Sequence, residues 1–188
     1  GVGGVAFRAD SMPVVVQITD AQSHTVGESG LCGGTSVNYS PAIASAHSRV
    51  QAKTAISDVC GRVVGVSVAA SSCSGQADLE DFATSTGALV PPQAWDVGAR
   101  PAGCAAGQCC TGVNGAGRAP NGQGLCPVVF LVASNGTGLG ANIVTGIRML
   151  TRFATFDVES ARSGVTTSVD GVPLPTPHTT ADFIRAIT

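Results

Sequence analysis

The stretch PVVVQITDAQSH, from Pro13 to His24, is an apolar run that ends in a threonine and an acid. Its consecutive valines and its isoleucine predict a strand buried on both faces, as the strands of a parallel sheet are. Thr19 and Asp20 then lie at the carboxyl end of that strand, where open parallel sheets bind their ligands. The position therefore gives the Asp20 carboxylate a candidate role in a binding site.

The segments that follow alternate between helical and extended patterns. Ser40 and Pro41 form a typical helix start, and apolar residues recur at helical spacing from there to Cys60. Further strands are predicted at 62–69 (RVVGVSVA) and 126–133 (CPVVFLVA), and further helices at 77–86 and 139–154. This alternation predicts an α/β fold with a Rossmann-like, mostly parallel sheet flanked by helices.

Charge is sparse in this chain of 188 residues: charged side chains make up 12%, the net charge is −2, and Lys53 is the only lysine. No basic patch with interleaved aromatic residues occurs, so nucleic-acid binding has no support. No apolar run approaches the roughly 18 residues of a membrane span. The first residues also lack the charged and apolar regions of a signal peptide. The length fits one domain with an extension.

The seven cysteines indicate an oxidising compartment. Four of them lie within 104–126, in a stretch rich in glycine, alanine and proline that cannot hold a shape by core burial alone. Zinc ligation and redox catalysis are the competing interpretations, but the chain has no Cys-x2-Cys pair. Because adjacent cysteines rarely bond to each other without strain, we expect Cys109 and Cys110 to pair with Cys104 and Cys126, in an order that the sequence leaves open. This predicts a disulfide-stapled insertion at 94–126 in an extracellular or cell-surface protein.

The other three cysteines are Cys32, Cys60 and Cys73. Cys60 closes the first predicted helix and Cys73 follows the next strand, so a bond between them would clip the crossover. Cys32, in a glycine-rich loop, is then left for a missing amino-terminal segment or for another chain, as an odd cysteine in an exported protein indicates.

Several short motifs occur in a familiar order. They are Ile18-Thr19-Asp20-Ala21 with His24 soon after, the loop to Tyr39-Ser40-Pro41, RVVGVSVA, the Asp78-Leu79 helix that ends in Thr86-Gly87, and the last strand and helix. Over roughly residues 5–155 the chain thereby resembles the von Willebrand factor A domains, and within them the β-subunit-type I domains of integrins and their bacterial relatives. We expect their fold here.

The resemblance implies a divalent-cation site at the carboxyl edge of the sheet. Asp20 matches the family's aspartate at the end of a strand and would be a ligand of Mg²⁺ or Ca²⁺, hard cations that prefer carboxylate and hydroxyl oxygens. A free coordination position would accept an acidic residue of a protein partner. His24 and Glu28, on the loop beside Asp20, are candidate partner contacts by position. The implied function is adhesion or protein recognition without catalysis.

One family motif is missing. The first metal loop, Asp-x-Ser-x-Ser, occurs nowhere in these residues, so 1–154 is predicted to be such a domain without its first strand and metal loop. Either the sequence is the back half of a longer domain, which we expect, or the protein has lost the metal site and keeps the scaffold. The alternative function is then a metal-independent structural or assembly subunit that pairs through an open sheet edge. Residues 155–188 are predicted to be a strap or a linker to a further domain.

Two enzymatic interpretations are weaker. Asp20, His24 and a serine suggest a nucleophilic triad, but no Gly-x-Ser-x-Gly elbow occurs at a strand-to-helix turn. SNGTGLG at 134–140 precedes a helix as a phosphate loop does, but it lacks the Lys-Ser/Thr ending. The resemblance implies a switch loop there, and a plain capping loop is the simpler interpretation. We therefore expect no enzyme activity.

Overall fold

The computed structural model describes residues 6–8, 11–27, 29–31, 45–69, 74–97, 100–153, 165–169 and 172–179. The chain divides into two compact units, Gly1–Thr155 and Phe156–Thr188. In chain order, the first unit contains β1 (Val14–Thr19), α1 (Arg49–Ser57), β2 (Arg62–Val68), α2 (Gln76–Ser85), β3 (Leu89–Val90), β4 (Cys126–Pro127), β5 (Val129–Val132) and α3 (Leu139–Phe153). Short 3-10 helices at Pro92–Asp96 and Val113–Gly115 lie between β3 and β4.

The central sheet has three parallel strands in the order β1, β2, β5. β1 pairs with β2 from Val14 opposite Arg62 to Thr19 opposite Ser67. β2 pairs with β5 up to Val68 opposite Val132, so all three strands end at the same edge. The predicted α/β class, with a parallel sheet flanked by helices, is confirmed.

Helices pack closely on both faces of this sheet. Gly65 of β2 allows α2 to approach, since a Cβ at this position would come within 2.8 Å of the Leu79 Cβ. On the other face Gly146 of α3 lies against β2 and β5, where an added Cβ would come within 2.8 Å of a Val64 methyl group and 3.0 Å of the Phe130 ring. Leu150 of α3 is completely buried in the same core.

The first helix begins later than the sequence predicts. Ser48 is the N-cap of α1: its hydroxyl accepts from the backbone N–H of Gln51, whose side chain accepts from the Ser48 N–H in return. This capping box starts the helix at Arg49, and residues 45–48 are not helical. The continuous helix from Pro41 to Cys60 is therefore wrong, and Pro41 itself lies outside the described residues.

Two disulfides hold the insertion between β3 and β4. Cys104 bonds to Cys110 and Cys109 bonds to Cys126, so the predicted staple is confirmed and its pairing order is resolved. Cys60 instead carries a free, exposed thiol. The predicted Cys60–Cys73 bond is therefore wrong. Cys32 and Cys73 lie outside the described residues.

Two arginines fix the insertion from within. Arg100 forms an ion pair with Asp96 at 2.6 Å and donates to the carbonyl oxygens of Pro92, Ala105 and Gln108. Arg118 forms an ion pair with Glu80 of α2, which ties the insertion to the helix layer. Side-chain hydrogen bonds thus supplement the disulfides and the buried Ala94 and Trp95.

The second unit contains a hairpin. β6 (Val165–Val169) and β7 (Val172–Thr179) pair antiparallel, with Val169 opposite Val172. Its role as a strap or linker stays a prediction. Among the helices that the structure describes, none combines the length and the apolar character needed to cross a membrane.

Candidate functional site

A groove lies at the carboxyl edge of the parallel sheet. It has a volume of about 290 Å³ and contains three polar residues, Thr19, Asp20 and Ser134. Its apolar lining comes from β1, β2, β5 and the start of α3, through Ile18, Val66, Val68, Val132 and Leu139. The edge predicted to bind a ligand therefore carries a concave surface that contains Asp20.

Asp20 lies within a tight turn. The Thr19 hydroxyl donates to the Ala21 carbonyl oxygen at 2.8 Å and accepts from the Ala21 N–H at 3.1 Å. This side-chain turn fixes the backbone directly after β1. Asp20 is exposed, and it forms neither a hydrogen bond nor an ion pair with any residue in the described part of the chain. Its carboxylate oxygens are available to a ligand.

The start of α2 supports this turn by close contact. A Cβ on Gly75 would lie 2.3 Å from the Thr19 methyl carbon and 2.6 Å from the Ala21 carbonyl oxygen. Only glycine therefore lets the first turn of α2 touch the turn that carries Asp20.

A buried carboxylate anchors the loop that follows. Asp78, in the first turn of α2, is completely buried. It accepts a hydrogen bond from the Ser23 N–H at 2.7 Å and one from the Arg49 guanidinium at 3.1 Å. Asp78 thereby joins the loop after Asp20 to the amino ends of α1 and α2. In the sequence Asp78 serves only as a landmark of the fold; the available signal of its role is its place in the first helical turn, where carboxylates are favoured.

The helices at this edge are also joined nearer the surface. Lys53 of α1 contacts both carboxylate oxygens of Asp81 of α2, at 2.9 and 3.1 Å. Both side chains are partly exposed, so the pair contributes less than the buried one.

The two predicted contact residues lie on the loop after β1. His24 is exposed, one residue beyond the Ser23 N–H that Asp78 holds. Glu28 lies outside the described residues. Thr25 between them is buried, and its hydroxyl oxygen has no hydrogen-bond partner among the described residues. The loop is therefore anchored to the fold at Ser23, and the neighbouring His24 is exposed.

The loop before α3 is held by its own turns. The Asn135 side chain accepts from the Thr137 N–H at 3.0 Å, and Gly136 and Gly138 adopt left-handed backbone conformations. These contacts account for a capping loop. The predicted switch is not needed to explain them and stays a prediction.

The donor atoms at the groove fit a hard cation in type but not in number. Asp20 offers a carboxylate and Ser134 a hydroxyl, whereas Mg²⁺ and Ca²⁺ take six or more oxygen ligands. Within the described ranges no three His, Cys, Asp or Glu side chains come together as a metal site. A cation here would therefore need ligands from outside the described residues, from a partner or from water.

A comparison of the chain with protein families, with curated proteins and with solved structures finds no match.

Proposed function

We propose that this chain is a non-catalytic protein-recognition module of the von Willebrand A type, which binds its partner at the carboxyl edge of its sheet. The observation that carries the proposal is the state of Asp20: its carboxylate is exposed, has no partner among the residues that the structure describes, and lies in a groove at the end of parallel strands. Most exposed aspartates are merely solvated. The backbone around Asp20 is fixed by the side-chain turn of Thr19 and by the close contact with Gly75, which supports a binding role for this position.

The proposed binding chemistry is coordination. Asp20 would help to hold Mg²⁺ or Ca²⁺ together with oxygen ligands that the described residues do not provide. The cation would leave a position for a carboxylate of the partner, as the resemblance to integrin-type domains implies. His24 and Glu28 would contact the partner beside it. Two disulfides support an extracellular or cell-surface location, where both cations are abundant.

The test is site-specific metal binding by the full-length native polypeptide, with Mn²⁺ as a paramagnetic probe. We expect Mn²⁺ to broaden the NMR signals of residues 19–21 and of Ser134. Asp20→Asn should weaken Mn²⁺ binding roughly tenfold or more, since even residues that only support a metal ligand contribute 10- to 100-fold. Competition by Mg²⁺ and Ca²⁺ then ranks the physiological cations.

Asp58→Asn is the matched control. Asp58 is also exposed but caps the carboxyl end of α1, towards the opposite edge of the sheet. It should bind Mn²⁺ like the wild type. The absence of Mn²⁺ broadening near Asp20, or equal binding by the two variants, contradicts the proposal.

A metal-independent assembly subunit is the second candidate. Among the described strands, β1 has a neighbour on one side only, and Ile18 at its end is 55% exposed. If the unpaired side of β1 and the exposed Ile18 pack against another chain, Ile18→Lys should abolish the association. Asp20→Ala and a chelator should not. Val144→Lys, at an exposed valine of α3, is the control. Sedimentation velocity distinguishes the two functions.

A further inference from the structure

A second groove lies between the carboxyl-terminal half of α3 and the segment after β3. It has a volume of about 180 Å³. α3 runs back along the sheet from the edge that carries Asp20, and it contacts β3, which pairs with the short strand before β5. The second groove therefore shares no lining residue with the groove that contains Asp20, and it lies at the opposite end of α3.

The floor and one wall of this groove are apolar. Ala94 and Met149 are buried, at 4% and 8% exposure, and Phe153 packs partly against the core. Val97, beside them, is 62% exposed. An exposed valine next to a buried methionine and a phenylalanine offers a partner a small apolar depression.

The rim is basic. Arg148 and Arg152 lie one helical turn apart on α3 and are exposed, and neither has an acidic partner in the described part of the chain. The helix dipole favours Arg152 in the last turn, but like charges four residues apart repel each other.

Four other basic side chains, Arg49, Lys53, Arg100 and Arg118, each form an ion pair with an aspartate or glutamate. Arg8 and Arg62 form no ion pair with the described residues, but each of them occurs singly. The two arginines of α3 thus stand out as a cationic pair beside an apolar depression, in a chain whose net charge is −2.

We infer that this groove binds a short peptide segment of another protein that combines a large apolar side chain with flanking carboxylates. The apolar side chain packs over Met149 and against Val97, and the carboxylates pair with Arg148 and Arg152. Charge complementarity selects an acidic segment, and the small volume accepts a single large side chain. Two arginines are too few for a nucleic acid, whose binding rests on many phosphate contacts. This site does not depend on the role of Asp20.

The experiment uses defined peptides and the native chain. The probe is Ac-AELFEA-NH2, and the matched peptides are Ac-AQLFQA-NH2, without charge, and Ac-AESSEA-NH2, without apolar side chains. Binding is followed by NMR shifts of Val97, Thr145 and Met149. We expect saturable shifts with the first peptide and affinities about tenfold weaker with each of the others. Two exposed ion pairs, each of which contributes little by itself, together account for a loss of about that size in the uncharged peptide.

Variants of the protein separate charge from shape. Arg148→Glu combined with Arg152→Glu should weaken binding of the probe at least about tenfold, and Arg8→Glu, at another exposed arginine, should not. Val97→Ser should also weaken binding. Val144→Ser, at an exposed valine of α3 outside the groove, should not. All these side chains are exposed, so the variants should fold, which circular dichroism verifies. Absence of shifts at the groove, or equal binding by the charge-reversed variant, overturns the inference.

Discussion

Asp78 shows how a single residue holds the candidate site in place. Its two hydrogen-bond donors come from positions 55 and 29 residues earlier in the chain, the Ser23 N–H and the Arg49 side chain. Because the carboxylate has no exposed surface, it needs both partners to offset its loss of hydration. The loop that carries Asp20 and His24 is therefore fixed by electrostatics at the amino ends of two helices.

Asp78→Asn should destabilise the fold strongly. The substitution removes the carboxylate that lies 3.1 Å from the buried Arg49 guanidinium and leaves a longer contact to Asp81, at 3.9 Å. Breaking a buried pair costs about 3–5 kcal/mol in free energy of unfolding. Asp81→Asn is the control for the more exposed contacts of the same cluster: Asp81 is 31% exposed, pairs with Lys53, which is 24% exposed, and lies 3.9 Å from Arg49, so we expect a loss of at most about 1 kcal/mol. Urea denaturation measures both. Equal losses in the two variants would show that Asp78 is not a structural anchor.

Gly75→Ala should also destabilise the fold, because the added methyl group would overlap Thr19 and the Ala21 carbonyl group. Overpacking of this kind costs about 1–3 kcal/mol. Gly140→Ala in α3 should have the opposite sign: nothing lies within 4 Å of the added methyl group, and alanine favours a helix over glycine by about 1 kcal/mol. Thermal unfolding of the two variants checks the signs. A Gly75→Ala protein as stable as the wild type contradicts the close contact.

At the scale of elements, the predictions succeed where one segment contains the whole signal. The valine-rich runs at β1 and β2 are strands because a buried parallel sheet requires continuous apolar residues. The start of α1 is different. Ser40-Pro41 resembles a helix start, but the reciprocal hydrogen bonds of Ser48 and Gln51 begin the described helix eight residues later.

Contacts between distant segments are what the sequence does not reveal. Which cysteine pairs with which depends on the bridge between Cys109 and Arg118, which folds the insertion back on itself and brings Cys109 to Cys126. The anchor at Asp78 depends in the same way on the packing of α1, α2 and the loop after β1. The place of Asp20 directly after β1 was predictable because it depends on one segment alone, but the Thr19 side-chain turn and the groove were not.

The two disulfides should contribute unequally to stability. Cys109–Cys126 spans 17 residues and Cys104–Cys110 spans 6, and the chain-entropy model gives about 3 kcal/mol for the longer loop and about 2 kcal/mol for the shorter one. Replacing Cys109 and Cys126 by serine should therefore lower the free energy of unfolding more than replacing Cys104 and Cys110. Chemical denaturation of the two double variants tests this order. The reverse order would mean that native contacts such as those of Arg100 outweigh loop closure.

At the scale of the first unit, α3 connects the two grooves. Leu139 at its start lines the groove that contains Asp20, and Met149 and Phe153 near its end line the second groove. The helix has 15 residues and a length of about 22 Å. Between the grooves, Gly146 fits against Val64, Val128 and Phe130 without space for a larger side chain. Sliding α3 along its axis would break this close packing.

We therefore expect the two grooves to bind independently. The affinity of the Ac-AELFEA-NH2 peptide should be the same with and without saturating Mn²⁺, within about twofold, because coupling requires an element with two arrangements and a closely packed helix has one. The measurement is a peptide titration of the wild type in both conditions. Asp20→Asn is the control: at an Mn²⁺ concentration that saturates the wild type but not the variant, the peptide affinity of the variant should not change. A larger change in the wild type that Asp20→Asn abolishes would show that α3 moves between two positions and transmits occupancy of one groove to the other. Since linkage is reciprocal, the peptide would then change the Mn²⁺ affinity by the same factor.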